Sequence, residues 1–381
     1  MKIAQKVFLD GRMRAEGLRE LAAIDPHLIL VFGSRESFAD AGMFAMLRRH
    51  FPAAGLAGCT TAGEIAGSRV HDGACVVTAM HLERSSVRVR SGRIGAMEES
   101  RAVGERLGRE LAGEDLQGVL LFCKGVAVNG SAVIEGVMAG LGRPVPVTGG
   151  LAGDGSAFAR TLVLDNDEVS ETGVVGIGLH GDAVRVGHGS QGGWEPFGPA
   201  RRITRSSGNI LYELDGKPAL DLYKSYLGEY ARNLPASGLL FPFEMLGMDH
   251  ARVGLIRTIL GIDETSGSLI LAGDIMPDGF LRLMHASTDA LVSGAESAAR
   301  KTREMVRESG AGLALLVSCV GRKLVMGDQV DEEVEVVLDA LAEGSVATGF
   351  YSYGEISPFS SVTDCRLHNQ TMTVTYLTEA C

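Results

Sequence analysis

The sequence has no long apolar run and no dense cluster of basic residues, and both absences narrow its function. No stretch reaches the roughly 18 uninterrupted apolar residues that a membrane span requires, and the first residues lack the apolar core of a signal peptide. We therefore expect a cytoplasmic protein with no membrane insertion. The net charge of −11 argues against nucleic acid as a partner, because phosphate binding requires clustered Lys and Arg. The nearest approach to a basic run, Arg201, Arg202 and Arg205, is interpreted as a solvated loop.

The cysteines are too scattered to build a disulfide framework or a metal site. They form no Cys-x-x-Cys pair and no Cys-x-x-Cys-His haem attachment, so we expect reduced thiols. Two short His/Cys spacings, His71 with Cys75 and Cys365 with His368, have no further ligands beside them, which argues against zinc. The six cysteines are Cys59, Cys75, Cys123, Cys319, Cys365 and Cys381.

Glycine is abundant, and the chain is long. There are 51 glycines in 381 residues, roughly twice the usual share. Glycine permits tight turns and close backbone approaches, so we expect many of both. A chain of 40.2 kDa is long enough for two or three globular units.

Three stretches share one pattern: an apolar strand, a helix, and a second strand that ends at glycine. The first strands lie at residues 28–32, 119–123 and 313–317, and the glycines are Gly58, Gly149 and Gly349. Separations of 30, 30 and 36 residues suit βαβ crossovers between buried parallel strands, and an added antiparallel strand follows each unit. The pattern predicts one helix over residues 37–49 and a helix capped by Asn129.

The outer two units also share a motif. Residues 58–65, GCTTAGEI, match residues 349–356, GFYSYGEI, and residues 149–155, GGLAGDG, form a divergent middle copy. We interpret this as an internal duplication. The predicted fold is α/β, with two related halves of mixed β-sheets flanked by helices, built from repeated βαβ units with added antiparallel strands. The glycine-rich segment 192–198 separates a domain at residues 1–192 from one at residues 199–381.

These segments, together with residues 148–154, 193–198, 318–322 and 367–371, strongly resemble the FIST family along nearly the whole chain. The resemblance implies an N-terminal FIST domain at 1–192 and a C-terminal one at 199–381. It also implies a sensory input protein of bacterial signal transduction that binds a small ligand, such as an amino acid or a derivative. No output domain follows, so a separate partner, a histidine kinase or a cyclase, would read the signal. The resemblance to one subset of the family implies an alternative function, that of a haem-binding nitric-oxide sensor that regulates a histidine kinase.

The glycine turns are the predicted ligand site, because ligands of open α/β sheets lie beyond the carboxyl ends of the strands. Paired carboxylates would suit an ammonium group, and the guanidinium fork of Arg322 would suit a carboxylate. The alternative is that Glu64 and Glu355 only cap turns. The predicted ligand-binding residues are Cys59, Thr60, Thr61, Glu64, Gly149, Gly150, Asp154, Arg322, Tyr351, Ser352, Tyr353, Glu355, His368 and Asn369.

Two further hypotheses stay open. His368 lies in the family-like segment Leu-His-Asn-Gln-Thr and is the candidate haem ligand, although a buried structural histidine is the plainer interpretation. Cys59 follows a strand and a glycine, as some exposed nucleophiles do, which would make the protein a cysteine-dependent hydrolase or transferase. Because no base can be assigned to Cys59, we expect no enzyme activity and no catalytic residues.

Overall fold

Three stretches of the chain follow one order of secondary structure: strand, helix, strand, helix, strand, hairpin, strand. The computed structural model describes residues 1–40, 42–306, 310–359 and 364–380, so Cys381 lies outside the described residues. The first repeat contains β1 (Lys2–Phe8), α1 (Ala15–Ala22), β2 (Leu28–Gly33), α2 (Arg35–Phe38), α3 (Met43–His50), β3 (Gly55–Thr60), β4 (Glu64–Ala66), β5 (Arg69–His71) and β6 (Cys75–His81).

The second repeat has the same order. It contains β7 (Ser86–Arg93), α4 (Ser100–Leu111), β8 (Leu116–Cys123), α5 (Gly130–Leu141), β9 (Val147–Leu151), β10 (Val163–Leu164), β11 (Val169–Ser170) and β12 (Gly173–His180). Asn129 caps α5 as predicted, because its side chain accepts a hydrogen bond from the Ala132 amide at 3.0 Å.

The third repeat is split by an insertion after its first strand, β13 (Val184–Gln191). The inserted segment contains β14 (Glu195–Pro196), β15 (Arg201–Ser207), β16 (Ile210–Leu214), β17 (Lys217–Pro218), α6 (Ala219–Leu227), β18 (Phe243–Leu246), β19 (Arg252–Arg257), β20 (Ile259–Asp263), β21 (Ser268–Leu271) and β22 (Phe280–His285). The repeat resumes with α7 (Thr288–Met305), β23 (Leu313–Cys319), α8 (Val320–Met326), α9 (Val330–Ala340), β24 (Val346–Ser352), β25 (Gly354–Pro358), β26 (Cys365–His368) and β27 (Met372–Glu379).

Each repeat builds one six-stranded mixed sheet, and each sheet is completed by a hairpin from another repeat. The strand orders are β1-β6-β2-β3-β10-β11, β7-β12-β8-β9-β25-β26 and β13-β27-β23-β24-β4-β5. The first sheet therefore takes the hairpin of the second repeat, the second sheet that of the third, and the third sheet that of the first. The three repeats form a closed ring of exchanged hairpins.

The glycine motif is explained by this exchange. In the three sheets, Gly58 pairs with Leu164, Gly149 with Ile356, and Gly349 with Ile65, so each motif glycine meets the incoming hairpin. A Cβ atom on Gly349 would lie 1.8 Å from the Leu316 carbonyl oxygen of the neighbouring parallel strand. Glycine is required here because the backbones approach too closely for a side chain.

The centre of the ring is filled by aromatic side chains. The rings of Phe32, Phe122 and Phe350 meet with centroids 4.8–5.9 Å apart, one from each repeat. Gly150 lies beside this packing, and a Cβ atom there would lie only 2.7 Å from the Val317 side chain. The first parallel strand of each repeat (β2, β8 and β23) is apolar because helices and sheets cover it on both faces.

The predicted helix over residues 37–49 was wrong in one respect, since the structure divides it into α2 and α3. Asp40 accepts a hydrogen bond from the Gly42 amide at 2.8 Å, a local turn that competes with the helix.

The inserted segment forms a nine-stranded antiparallel sheet, β19-β18-β22-β15-β16-β21-β20, with β14 on β22 and β17 on β16. The division at residues 193–198 stays a prediction, and strands from both sides of it share two of the three repeat sheets.

Candidate functional site

The two motif glutamates occupy equivalent, buried positions. In the first repeat, Glu64 accepts hydrogen bonds from the Thr61 hydroxyl and, at 3.0 Å, from the Ala74 amide just before β6. In the third, Glu355 accepts from the Ser352 hydroxyl at 2.7 Å and from the amide and hydroxyl of Thr371, just before β27, at 3.1 and 3.0 Å. Each glutamate thus joins its own turn to the start of the last strand of its repeat.

Burial shifts the acid–base properties of both carboxyl groups. It raises the pKa of Glu64 to about 7 and, although the hydroxyl and amide hydrogen bonds oppose the shift, that of Glu355 to about 8. Glu64 lies in the third sheet and Glu355 in the second, and among the described residues no hydrogen-bonding group contacts both carboxyl groups. Their binding of a ligand ammonium group stays a prediction.

Cys59 and Thr60 lie inside the first sheet. The Thr60 hydroxyl accepts a hydrogen bond from the Leu162 amide of the exchanged hairpin at 2.9 Å. Cys59 is fully buried, and burial raises the pKa of its thiol well above the ordinary range. A nucleophilic cysteine needs the opposite shift and an accessible sulfur. The environment of Cys59 therefore gives no support to the cysteine-dependent enzyme.

Arg322 is the centre of a buried polar cluster. Its guanidinium pairs with Glu333 at 2.6 Å and donates to the Leu291 carbonyl at 2.9 Å and to the Gly192 carbonyl. Glu333 also accepts from the hydroxyl of Tyr351 at 2.5 Å. The Arg322 and Glu333 side chains are both 0% exposed, so Arg322 already has a carboxylate partner within the protein.

The middle glycine motif and Tyr353 form a turn between repeats. Gly149 and Gly150 pair with β25 through their backbone, and the Tyr353 hydroxyl donates to Asp154 and accepts from the Phe158 amide at 3.1 Å. Its ring stacks on Phe158 with centroids 4.1 Å apart. This geometry forms a tight turn that connects β9 to the β10–β11 hairpin.

His368 and Asn369 lie at the end of the exchanged hairpin β25–β26. One ring nitrogen of His368, Nε2, is 3.1 Å from the Ser357 carbonyl, and burial lowers the pKa of the ring to about 4. Asn369 is 1% exposed, yet within the described residues neither its amide nitrogen nor its amide oxygen has a hydrogen-bond partner. A buried amide with unused donors and acceptors is costly unless it meets a ligand or water.

Beside this turn, a groove of about 830 Å³ separates the inserted sheet from the third repeat. We call it the insertion groove. Its walls come from β13, α7, β19, β22 and the β25–β26 hairpin. The residues that line it include His188, Ser190, Gln191, Gly192, Trp194, Glu244, Arg252, Ile256, Met284, Lys301, Glu304, Met305, Phe359, His368 and Thr371.

The insertion groove gathers some of the predicted site residues and omits others. His368 lines it, Thr371 connects it to Glu355, and the Gly192 carbonyl connects it to Arg322. Cys59, Thr60 and the turn at Tyr353 lie elsewhere. Sequence reasoning missed the lining residues of β13 and α7, because their strand and helix patterns give no sign of which face meets the insertion. Trp194 lies in a family-like motif and was the one sequence feature that could have indicated the position of the groove.

The donor set of the groove fits a prosthetic group that needs an imidazole. Burial lowers the pKa of His188 as well as that of His368, which favours the neutral imidazole that metal ligation requires. Trp194, Met284 and Phe359 supply apolar walls. In the described part of the chain, no group of three or more His, Cys, Asp or Glu side chains is arranged to hold a metal ion directly.

Most of the residues that form the repeats and the insertion match known family profiles. The FIST N domain matches residues 27–217, and the FIST C domain matches residues 219–358. An uncharacterized protein of Methanocaldococcus jannaschii, MJ1623, is 24% identical over 328 residues, which cover 78% of this chain and 60% of that protein. Across the described residues, no helix is long and apolar enough to cross a membrane. The chain belongs to the FIST family, whose domains are small-ligand sensory modules of signal transduction.

Proposed function

We propose that the protein is a sensor whose small ligand binds in the insertion groove. The observation that carries this proposal is the groove itself, about 830 Å³ in volume, with polar and apolar walls contributed by two separate sheets. Ligand sites in proteins are concave, partly apolar and commonly lie between structural units. A ligand held there contacts the inserted sheet and the third repeat at the same time.

An amino acid or a derivative suits the charges at the rim. Lys301 and Glu304 lie one turn apart on α7 and bring one charge of each sign to the groove. The Lys301 ammonium is held 3.1 Å from the Gln191 side chain. Lys301 would bind the ligand carboxylate, Glu304 would bind its ammonium group, and Trp194 and Met284 would contact its side chain.

Signalling requires that the ligand bind one arrangement of the two sheets better than another. The floor of the groove is connected to the buried cluster, because the Gly192 carbonyl accepts from Arg322 and the Trp194 indole donates to the Gln370 carbonyl at 2.8 Å. A shift of the inserted sheet would therefore reach β27 and the third repeat. A histidine kinase or a cyclase is the partner class that would read this shift.

A thermal-shift screen with the twenty amino acids and common polyamines tests the proposal. A ligand that binds only the folded state must raise the melting temperature. We expect at least one hit with wild-type protein and none with Gln191→Trp, which places a large ring in the groove. Arg185→Trp is the matched control, because Arg185 is exposed on the same strand outside the groove. Equal responses of the two variants, or no hit at all, would contradict the proposal.

A haem-bound gas sensor is the second candidate function, and the two neutral imidazoles of the groove favour it. His368 or His188 would hold the iron, which would supply the gas-binding site. Purified protein should then acquire a Soret band on addition of haem, and His188→Ala or His368→Ala should shift or remove it. Protein that stays colourless after addition of haem would exclude this candidate.

A further inference from the structure

A second pocket lies at the opposite ends of the parallel strands, far in the fold from the glycine turns. It has a volume of about 590 Å³ and is bounded by the start of β3, the first half of β7 and the segment before β8. We call it the amino-end pocket; its polar wall is formed by Arg48, Arg88, Arg90, Asp115 and His180.

Three guanidinium groups in this pocket are held by the backbone rather than by carboxylates. Arg48 donates to the Ala54 carbonyl at 2.9 Å, and Arg88 donates to the Ala112 carbonyl at 3.1 Å. Arg90 donates to the carbonyl of the preceding residue at 2.9 Å. Within the described residues, none of the three forms an ion pair, although the pKa of the Asp115 carboxyl group is lowered by its hydrogen bond to His180 and further by the nearby Arg88 charge.

The carboxylate and the imidazole in the pocket pair with each other. Asp115 is 2.9 Å from the Nδ1 atom of His180, which fixes the ring. The other ring nitrogen, Nε2, is buried and has no hydrogen-bond partner in the described part of the chain, and the His180 side chain is 3% exposed. Because Asp115 accepts from the Nδ1–H group, the Nε2 atom of a neutral His180 is a hydrogen-bond acceptor, and only the protonated ring would donate from Nε2 to an anion.

We propose that the amino-end pocket binds a small oxyanion with at least two negative charges. Guanidinium groups bind phosphate and carboxylate oxygens through paired N–H donors, and Arg88 and Arg90 line this pocket together with Arg48, which donates to the Ala54 and Asn166 carbonyls. The volume suits a small molecule rather than a macromolecule. The pocket shares no lining residue with the insertion groove, so the site is independent of the sensory proposal and is tested separately.

Isothermal titration of the full chain with pyrophosphate and with citrate tests this site. We expect one of the two probes to bind, with an affinity that falls as salt is added. Binding of pyrophosphate assigns a phosphate-bearing ligand, and binding of citrate assigns a polycarboxylate. Arg88→Gln and Arg90→Gln should each weaken binding about ten-fold, because each removes a charge-assisted hydrogen bond.

Arg185→Gln is the matched control. Arg185 is exposed at an edge strand and, like Arg90, donates to the carbonyl of the preceding residue, here at 3.1 Å, but it lies outside the pocket. The Arg185→Gln variant should bind the probe with the same affinity as wild-type protein. The proposal is overturned if neither probe binds, or if Arg185→Gln weakens binding as much as Arg90→Gln, which would indicate general attraction by positive charge.

Discussion

At the scale of single residues, the motif glutamates give the protein a distinctive pH dependence. Glu64 and Glu355 have folded-state pKa values of about 7 and about 8, whereas an unfolded chain has glutamate pKa values near 4.3. The folded state therefore binds more protons between pH 4.5 and pH 8, and the free energy of unfolding must fall as pH rises through that window.

Replacing both glutamates by glutamine should remove this contribution. We expect Glu64→Gln/Glu355→Gln and wild-type protein to have similar stability at pH 5, where both carboxyl groups are protonated. At pH 8 the variant should be the more stable protein, because glutamine keeps the acceptor oxygen and has no charge to bury. Urea unfolding at both pH values measures this. A variant that loses as much stability as wild type on going from pH 5 to pH 8 would show that the carboxyl groups are not protonated in the fold.

The Arg322 cluster makes a second prediction at this scale. Glu333→Gln should destabilise the protein by about 3–5 kcal/mol, because it leaves the buried guanidinium charge without its partner. The neighbouring Glu332→Gln is the control; Glu332 is exposed and should change stability by less than about 0.5 kcal/mol. Denaturant unfolding distinguishes the two. Equal effects would mean that the ion pair does not stabilise the fold.

Sequence reasoning found Glu64, Glu355 and Arg322 but not Glu333, and it did not assign their contacts. The three-residue spacing of Ser352 and Glu355 is typical of a side chain that caps a local turn, and a turn cap was the alternative to ligand binding by this glutamate. The other partners come from distant segments: Thr371 for Glu355, and Gly192, 130 residues away, for Arg322. A one-dimensional pattern contains no information about such pairs.

At the scale of elements, the exchanged hairpins depend on the motif glycines. Gly349→Ala should destabilise the protein by about 1–3 kcal/mol or more, because the new methyl group would lie 1.8 Å from the Leu316 carbonyl oxygen. Gly310→Ala is the control, since a Cβ atom there meets nothing within 4 Å and the substitution reduces the entropy of the unfolded chain. In thermal unfolding, the melting temperature of Gly310→Ala should equal or exceed that of wild-type protein. A fully stable Gly349→Ala protein would show that the close approach is not required.

The sequence predicted the elements of each repeat better than their pairing. Residues 28–32, 119–123 and 313–317 all became buried parallel strands, because continuous apolar runs between turn signals have few other solutions. The exchange could not be predicted, since alternation within a strand shows which face is buried and not which strand lies beside it.

At the scale of the whole molecule, the ring of exchanged hairpins makes the three repeats interdependent. A chain of residues 1–192 would contain the β4–β5 hairpin without β24, and β13 without β27. We expect it to be unfolded or aggregated, because unpaired strand edges associate with other chains. Co-expression with residues 193–381 should restore soluble protein. A well-dispersed NMR spectrum from residues 1–192 alone would contradict this account of the fold.

Ligand binding in the insertion groove can be located by hydrogen exchange of the protein in the presence of an amino-acid mixture. Binding in the groove should slow exchange in β13 and β19, which both line it, and leave the start of β7 unchanged. We expect amide protection to be confined to the walls of the groove. Protection at the glycine turns of residues 58–65 and 349–356 without protection in the groove would contradict it.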